Sequence, residues 1–158
     1  MKIGLLEDNA NIHEYLTTAL EMVGHTVFTH IDGMSLLDIL YAEQSIQTPL
    51  PYDLLIIDLS LPGTLSGLSV INYIRQTIAP ETLPIIVLSA ASQSQLEQIR
   101  TRFPNVQVLQ KPCGIKTLLQ LIEMSHVADR PGSTLSGSGV SIRLWRCFSI
   151  VRGENGYV

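Results

Sequence analysis

Residues 54–58 read Leu54-Leu55-Ile56-Ile57-Asp58, four uninterrupted apolar side chains closed by a carboxylate. Such a run is too short to be a helix. Its unbroken rather than alternating apolarity fits a strand covered on both faces, as in a parallel sheet. Three further runs repeat the pattern: Ile3-Gly4-Leu5-Leu6, Ile85-Ile86-Val87-Leu88 and Val106–Leu109. Thr26-Val27-Phe28-Thr29 reads as a fifth strand.

Helical periodicity fills the intervals. Ile12, Tyr15, Leu16, Ala19, Leu20 and Val23 form one stripe, with Asn9 or Asn11 able to cap its start and Gly24 able to end it. Leu36, Leu37 and Leu40 mark a second helix, and Leu68, Ile71, Ile74 and Ile78 a third. Leu96, Ile99 and Phe103 mark a fourth; Ile115, Leu118, Leu119 and Ile122 mark a fifth, whose Lys116, Gln120 and Glu123 face away. Strand and helix alternate five times. That order predicts parallel strands, right-handed crossovers and helices on both faces: a doubly wound α/β sandwich whose ligands sit beyond the strands' carboxyl ends.

The strand ends carry the chemistry. The first run is followed by Glu7-Asp8, the third ends in Asp58, the fourth reaches Ser89, and the fifth is followed by Lys111-Pro112. Three carboxylates in one crevice repel one another unless a cation intervenes. Hard oxygen donors with open positions suit Mg²⁺. Asp8 and Asp58 are the direct-ligand candidates, Glu7 acts through water, and the Ser60 backbone carbonyl completes the set. An aspartate beside a divalent ion and a lysine is a plausible nucleophile toward phosphorus. Asp58 would accept the phosphoryl group, with Lys111 and the Ser89 hydroxyl on its oxygens, since this transfer is mainly positioning and charge stabilisation.

These residues resemble the receiver domain of bacterial two-component response regulators. The matching pieces are Glu7-Asp8, Asp58-Leu59-Ser60-Leu61-Pro62-Gly63, Ser89-Ala90 and Lys111-Pro112, spread over residues 1–125. The resemblance implies a CheY-like, flavodoxin-like fold with five strands in the order 2-1-3-4-5. It implies an aspartyl phosphate on Asp58 received from a histidine kinase or phosphotransfer protein, and Mg²⁺ at Glu7, Asp8 and Asp58. It further implies a cis peptide before Pro112 and signalling to a partner protein, or to a second copy, through the fourth helix, fifth strand and fifth helix. The chain is then a phosphoacceptor and not a turnover enzyme. Three departures stand out. Val108 occupies the position three before the lysine, normally aromatic in such domains. The stretch from Asp58 to Gly67 is one residue longer than usual, absorbed around Gly63–Ser66. Ala91 offers no side chain to gate water, which leaves loss of the phosphoryl group to Ser60 and solvent access.

Other classes fit less well. An aspartate-nucleophile phosphohydrolase needs a second carboxylate two residues on, where Ser60 stands. A flavin or nucleotide sandwich needs a phosphate loop after the first strand, where Glu7-Asp8-Asn9 would repel phosphate. A pseudo-receiver that only docks partners is at odds with the complete acidic set, though Val108 keeps it open. Taken singly, each residue has a plainer meaning: Glu7 and Asp8 a capping pair, Asp58 a turn residue, Lys111 a surface charge, Ser89 a helix cap. His13, His25, His30 and His126 share no helix face with metal spacing, and Cys113 reads as a small half-buried thiol. Arg100 and Arg102 solvate the fourth helix or meet an acidic partner.

Composition sets the bounds. Charged residues make up 15% of 158 residues and apolar ones 46%, which predicts a large buried sheet and excludes disorder as the main state. Residues 1–125 hold 6 basic and 12 acidic side chains, so bulk charge does not suit a polyanion. Cys113 and Cys147 make no disulfide framework, and neither a signal peptide nor a membrane-length apolar run is found, so a cytoplasmic chain is expected. Residues 126–141 are Gly/Ser-rich and read as a linker; 142–158 form a short apolar extension that includes Trp145. This extension loosely resembles the opening strands of the winged-helix effector of transcription-regulating response regulators. On that alternative the chain is a truncated regulator without DNA-reading helices, and no direct DNA binding is expected.

Overall fold

The structure, a computed structural model, describes residues 1–42, 49–61 and 65–127. Ten elements alternate along it: β1 (Lys2–Leu6), α1 (Ala10–Met22), β2 (Thr26–His30), α2 (Gly33–Tyr41), β3 (Leu54–Asp58), α3 (Gly67–Thr77), β4 (Ile85–Ser89), α4 (Gln93–Arg102), β5 (Val106–Gln110) and α5 (Ile115–Val127). All pairings are parallel, in the order β2-β1-β3-β4-β5. This is the order that the resemblance implies. The chain leaves β1 for one edge, then returns past it to β3 and winds the other way. The crevice at that reversal opens where β1 and β3 end.

Side-chain alternation splits the core in two. On one face Leu6, Leu55, Ile57 and Val87 pack under Leu36 and Leu40 of α2, Val70 and Ile74 of α3, and Leu96 of α4. On the other, Ile3, Leu5, Ile56 and Leu88 pack under Leu16 and Leu20 of α1 and Leu118 and Ile122 of α5. Burying each such side chain stabilises the fold by about 1.5–3 kcal/mol before entropy is charged.

Local signals fix the element ends. Asn9 Oδ1 accepts from the backbone N–H groups of Asn11 and Ile12, so Asn9 and not Asn11 caps α1. Gly24 follows the helix with φ of 89°, where a side chain would be strained. Val23 is exposed because it caps the helix end and has left the stripe. Double-sided coverage holds for β3 and β4, which are buried throughout. It falls short for β5, an edge strand fully buried only at Val106, and the other edge strand, β2, is buried only at His30, with Phe28 41% exposed. The expected linker and extension, including Trp145 and Cys147, lie outside the described residues, as do the side chain of His126 and residues 62–64 of the lengthened loop.

Buried His30 is tied to Tyr52, whose role no sequence pattern signals: His30 Nε2 and the Tyr52 hydroxyl lie 2.8 Å apart. The His30 carbonyl accepts the Glu7 N–H at 3.1 Å, so this edge pair also supports the β1 exit. Burial pushes the His30 imidazole below its ordinary 6.5, against the opposing pull of Asp32. The unfolded chain therefore takes up the proton at higher pH than the folded one. Stability is full above the ordinary value and is lost as pH falls below it. Urea unfolding at about pH 7.5 and about pH 5.5 should show this loss in the wild type and a flatter dependence in His30→Gln. Equal slopes would contradict the assignment.

Candidate functional site

The turn after β1 divides its labour among three residues. Asn9 caps α1, Asp8 is exposed, and Glu7 is 1% exposed and turned inward. Glu7 Oε1 accepts from the Asn9 N–H at 3.1 Å, and Oε2 lies 2.7 Å from Lys111 Nζ. The plain capping reading thus belongs to Asn9, which frees the two acids for the crevice.

Asp58 ends β3 and is buried. Its Oδ1 accepts from the Ser60 N–H at 3.1 Å, and its Oδ2 lies 3.0 Å from Lys111 Nζ. Lys111 thereby bridges two buried carboxylates that arise 51 residues apart in sequence, its own side chain only 11% exposed. Desolvation alone would lower its pKa, but hydrogen bonds and charge from Glu7 and Asp58 outweigh it and hold the ammonium above its ordinary value. Lys111 therefore stays protonated across the physiological range.

Ser89 closes β4 beside them and is buried. Its carbonyl accepts from the Lys111 N–H at 2.8 Å, and its Oγ accepts from the Ala91 N–H at 3.1 Å, which leaves the hydroxyl proton free to donate. The Lys111–Pro112 peptide is cis, as the resemblance implies.

One carboxylate oxygen from each of Glu7, Asp8 and Asp58 lies within 4.8 Å of the others. Octahedral Mg²⁺ with ligands near 2.1 Å spaces adjacent oxygens by about 3 Å and opposite ones by about 4 Å, so a small contraction would seat the ion. Both Glu7 oxygens and both Asp58 oxygens already have partners, so hydrogen bonding alone does not rank the three acids as ligands.

Gly67, in sequence only the end of the lengthened stretch after Asp58, has a packing role at the site. A Cβ there would collide with the backbone carbonyl of Asp58, and it would lie 2.9 Å from Leu59 Cα. The first residue of α3 must therefore be glycine for the helix to press against the chain bearing Asp58. Its only sequence signal is its place just after Ser66, which caps α3.

Cys113 is buried, and burial raises its thiol pKa, which suits packing. Arg100 pairs with Glu97 at 2.7 Å, and the Arg102 guanidinium sits 5.2 Å from the Phe103 ring centre. No helix among the described residues is long and apolar enough to cross a membrane.

The fold is a doubly wound parallel α/β sandwich with an acidic cluster and a lysine at one rim, and comparison with known proteins makes its class specific. Residues 3–123 match the response regulator receiver domain. The chain belongs to this family, the receivers of two-component systems. It is 29% identical over 159 residues to a probable transcriptional regulatory protein of Picosynechococcus sp., covering 97% of this chain and 62% of that protein. It is 30% identical over 118 residues to response regulator ArlR of Staphylococcus epidermidis, covering 75% and 49% respectively. The chain thus spans about half to three-fifths of the length of these relatives. The response regulator TrrA of Thermotoga maritima, solved in complex with Mg²⁺-BeF, superposes with a TM-score of 0.63 at 25% identity, over 78% of this chain and 97% of that one.

Removing the bridging ammonium leaves two buried carboxylates facing each other. Lys111→Met should cost about 3 kcal/mol in urea unfolding without metal, and millimolar Mg²⁺ should recover part of the loss. A variant as stable as the wild type, and indifferent to Mg²⁺, would contradict the ion-pair account.

Proposed function

We infer that Asp58 is the phosphoacceptor of this receiver, served by Mg²⁺ at Asp8, Asp58 and the Ser60 carbonyl, with Glu7 acting through water. The observation that carries this reading is the convergence of Lys111 Nζ on Asp58 Oδ2 at 3.0 Å, within a three-carboxylate cluster. An Asp58 oxygen attacks phosphorus, the P–O bond forms, and the P–N bond of a phosphohistidine breaks. The imidazole leaves with the bonding pair and takes up a proton. Mg²⁺, when bound, offsets negative charge on the incoming oxygens. Lys111 supplies a second fixed positive charge, and the Ser89 hydroxyl donates to a third oxygen. The donor is a histidine kinase or phosphotransfer protein, so the chain acts as a phosphoacceptor and not as a turnover enzyme. Output passes to a partner protein, or to a second copy, through α4, β5 and α5.

Acetyl phosphate with Mg²⁺ should label the chain with a hydroxylamine-sensitive phosphoryl group, and Asp58→Asn should abolish it. Labelling that persists in Asp58→Asn, or that needs no divalent ion, would overturn the assignment. With Ala91 offering no side chain beyond its methyl, loss of the label is governed by Ser60 and solvent access. Bulky substitutions at both positions should slow it, and unchanged kinetics would contradict this.

A second reading concerns residues 126–158. The likeness to the Picosynechococcus transcriptional regulator runs over 97% of this chain and so extends past the receiver match at residue 123. It supports residues 126–141 as a linker and 142–158 as the opening of an effector domain. Limited proteolysis should cut first near residue 130 and leave an intact fragment of about residues 1–125. Uniform cleavage across both parts would contradict that division.

A further inference from the structure

The turn between β4 and α4 is held by a side chain that phosphoryl acceptance does not use. Gln110 ends β5 as the register partner of Ser89. Its Nε2 donates to the Ala91 carbonyl at 3.1 Å, and its Oε1 accepts from Gln93 Nε2 at 2.6 Å. Gln93 is the first residue of α4. Ala91 in turn donates its N–H to Ser89 Oγ at 3.1 Å. A path of hydrogen bonds therefore runs from the Ser89 hydroxyl, through Ala91, to the Gln110 carboxamide and on to the α4 N-terminus. A carboxamide suits this position because it donates at one end and accepts at the other; a carboxylate would set an oxygen against the Ala91 carbonyl.

Two features make the path consequential. Val108, two residues earlier on the same face of β5, packs against the core and has no polar side-chain atom to link the strand to the turn. Of the α4 residues only Leu96 and Ile99 are buried, so few apolar contacts oppose a shift of its first turn.

Resting on the reading of Asp58 as acceptor and Ser89 as its oxygen partner, we propose that Gln110 is a positioning residue that couples occupancy of the Asp58 site to the first turn of α4. When the Ser89 hydroxyl donates to an oxygen carried on Asp58, Ala91 is drawn with it toward β3. The Ala91 carbonyl pulls on the Gln110 carboxamide, and Gln110 transmits the displacement to Gln93. The Asp58 site and the α4 surface are then linked by a carboxamide.

The test uses the full chain with Mg²⁺ and beryllofluoride as the probe. Binding is read by fluorine NMR, and the α4 response by amide hydrogen exchange over residues 93–102. The wild type should bind the probe and change its exchange across α4. Gln110→Ala and Gln110→Glu should bind the probe within about threefold of the wild type but lose most of the α4 response. Gln93→Ala, which cuts only the outer link, should lose it as well. An undiminished α4 response in Gln110→Ala and Gln93→Ala would overturn the coupling, as would a wild type that binds the probe without any α4 response. Probe binding lost along with the response in Gln110→Ala would also overturn it, because the residue would then act on the site itself. A wild type unable to bind the probe would instead defeat the acceptor reading beneath the proposal.

Discussion

One ammonium group holds the functional rim together. Lys111 Nζ sits 2.7 Å from Glu7 and 3.0 Å from Asp58, and both acids are buried. Burying a carboxylate is costly without a fixed counter-charge, and two side by side would be worse. The lysine makes the arrangement tolerable without metal, and it remains in place as a permanent cation. The rest of the fold delivers these groups. β1 and β3 lie side by side in the sheet with their carboxyl ends at the same rim, and β5 brings Lys111 from two strands away. Parallel strand direction is what turns three distant sequence positions into one crevice.

The sequence was most legible where the sheet is most deeply covered. The runs at 54–57 and 85–88 are apolar on both faces because helices lie on both, and β3 and β4 are buried end to end. Their carboxyl-terminal residues, Asp58 and Ser89, were legible for the same reason: a polar group that closes an apolar run stands at the rim. Legibility fell at the edge. The Val106–Leu109 run looked like the others, yet β5 has one neighbour in the sheet and is only partly covered, which local composition cannot reveal.

Other site features depend on approach between distant segments, and periodicity carries no trace of that. Gly67 matters because α3 begins against the backbone of Asp58. Tyr52 matters because its hydroxyl meets His30 across 22 residues. Gln110 reads in sequence as a polar strand end, and only the structure brings its two amide atoms between Ala91 and Gln93. Val108, by contrast, stood out in the sequence as an aliphatic residue where an aromatic is usual. The structure puts it against the core, and a carboxamide bridges the same strand to the turn two residues later.

The most direct test of the central claim locates the phosphoryl group chemically. Treating the acetyl phosphate-labelled chain with borohydride reduces an aspartyl phosphate to homoserine, which peptide mass spectrometry reads at a single position. The account predicts homoserine at position 58 and at no other acid of the cluster. Homoserine at position 8, or none at all in a chain that carries label, would contradict it.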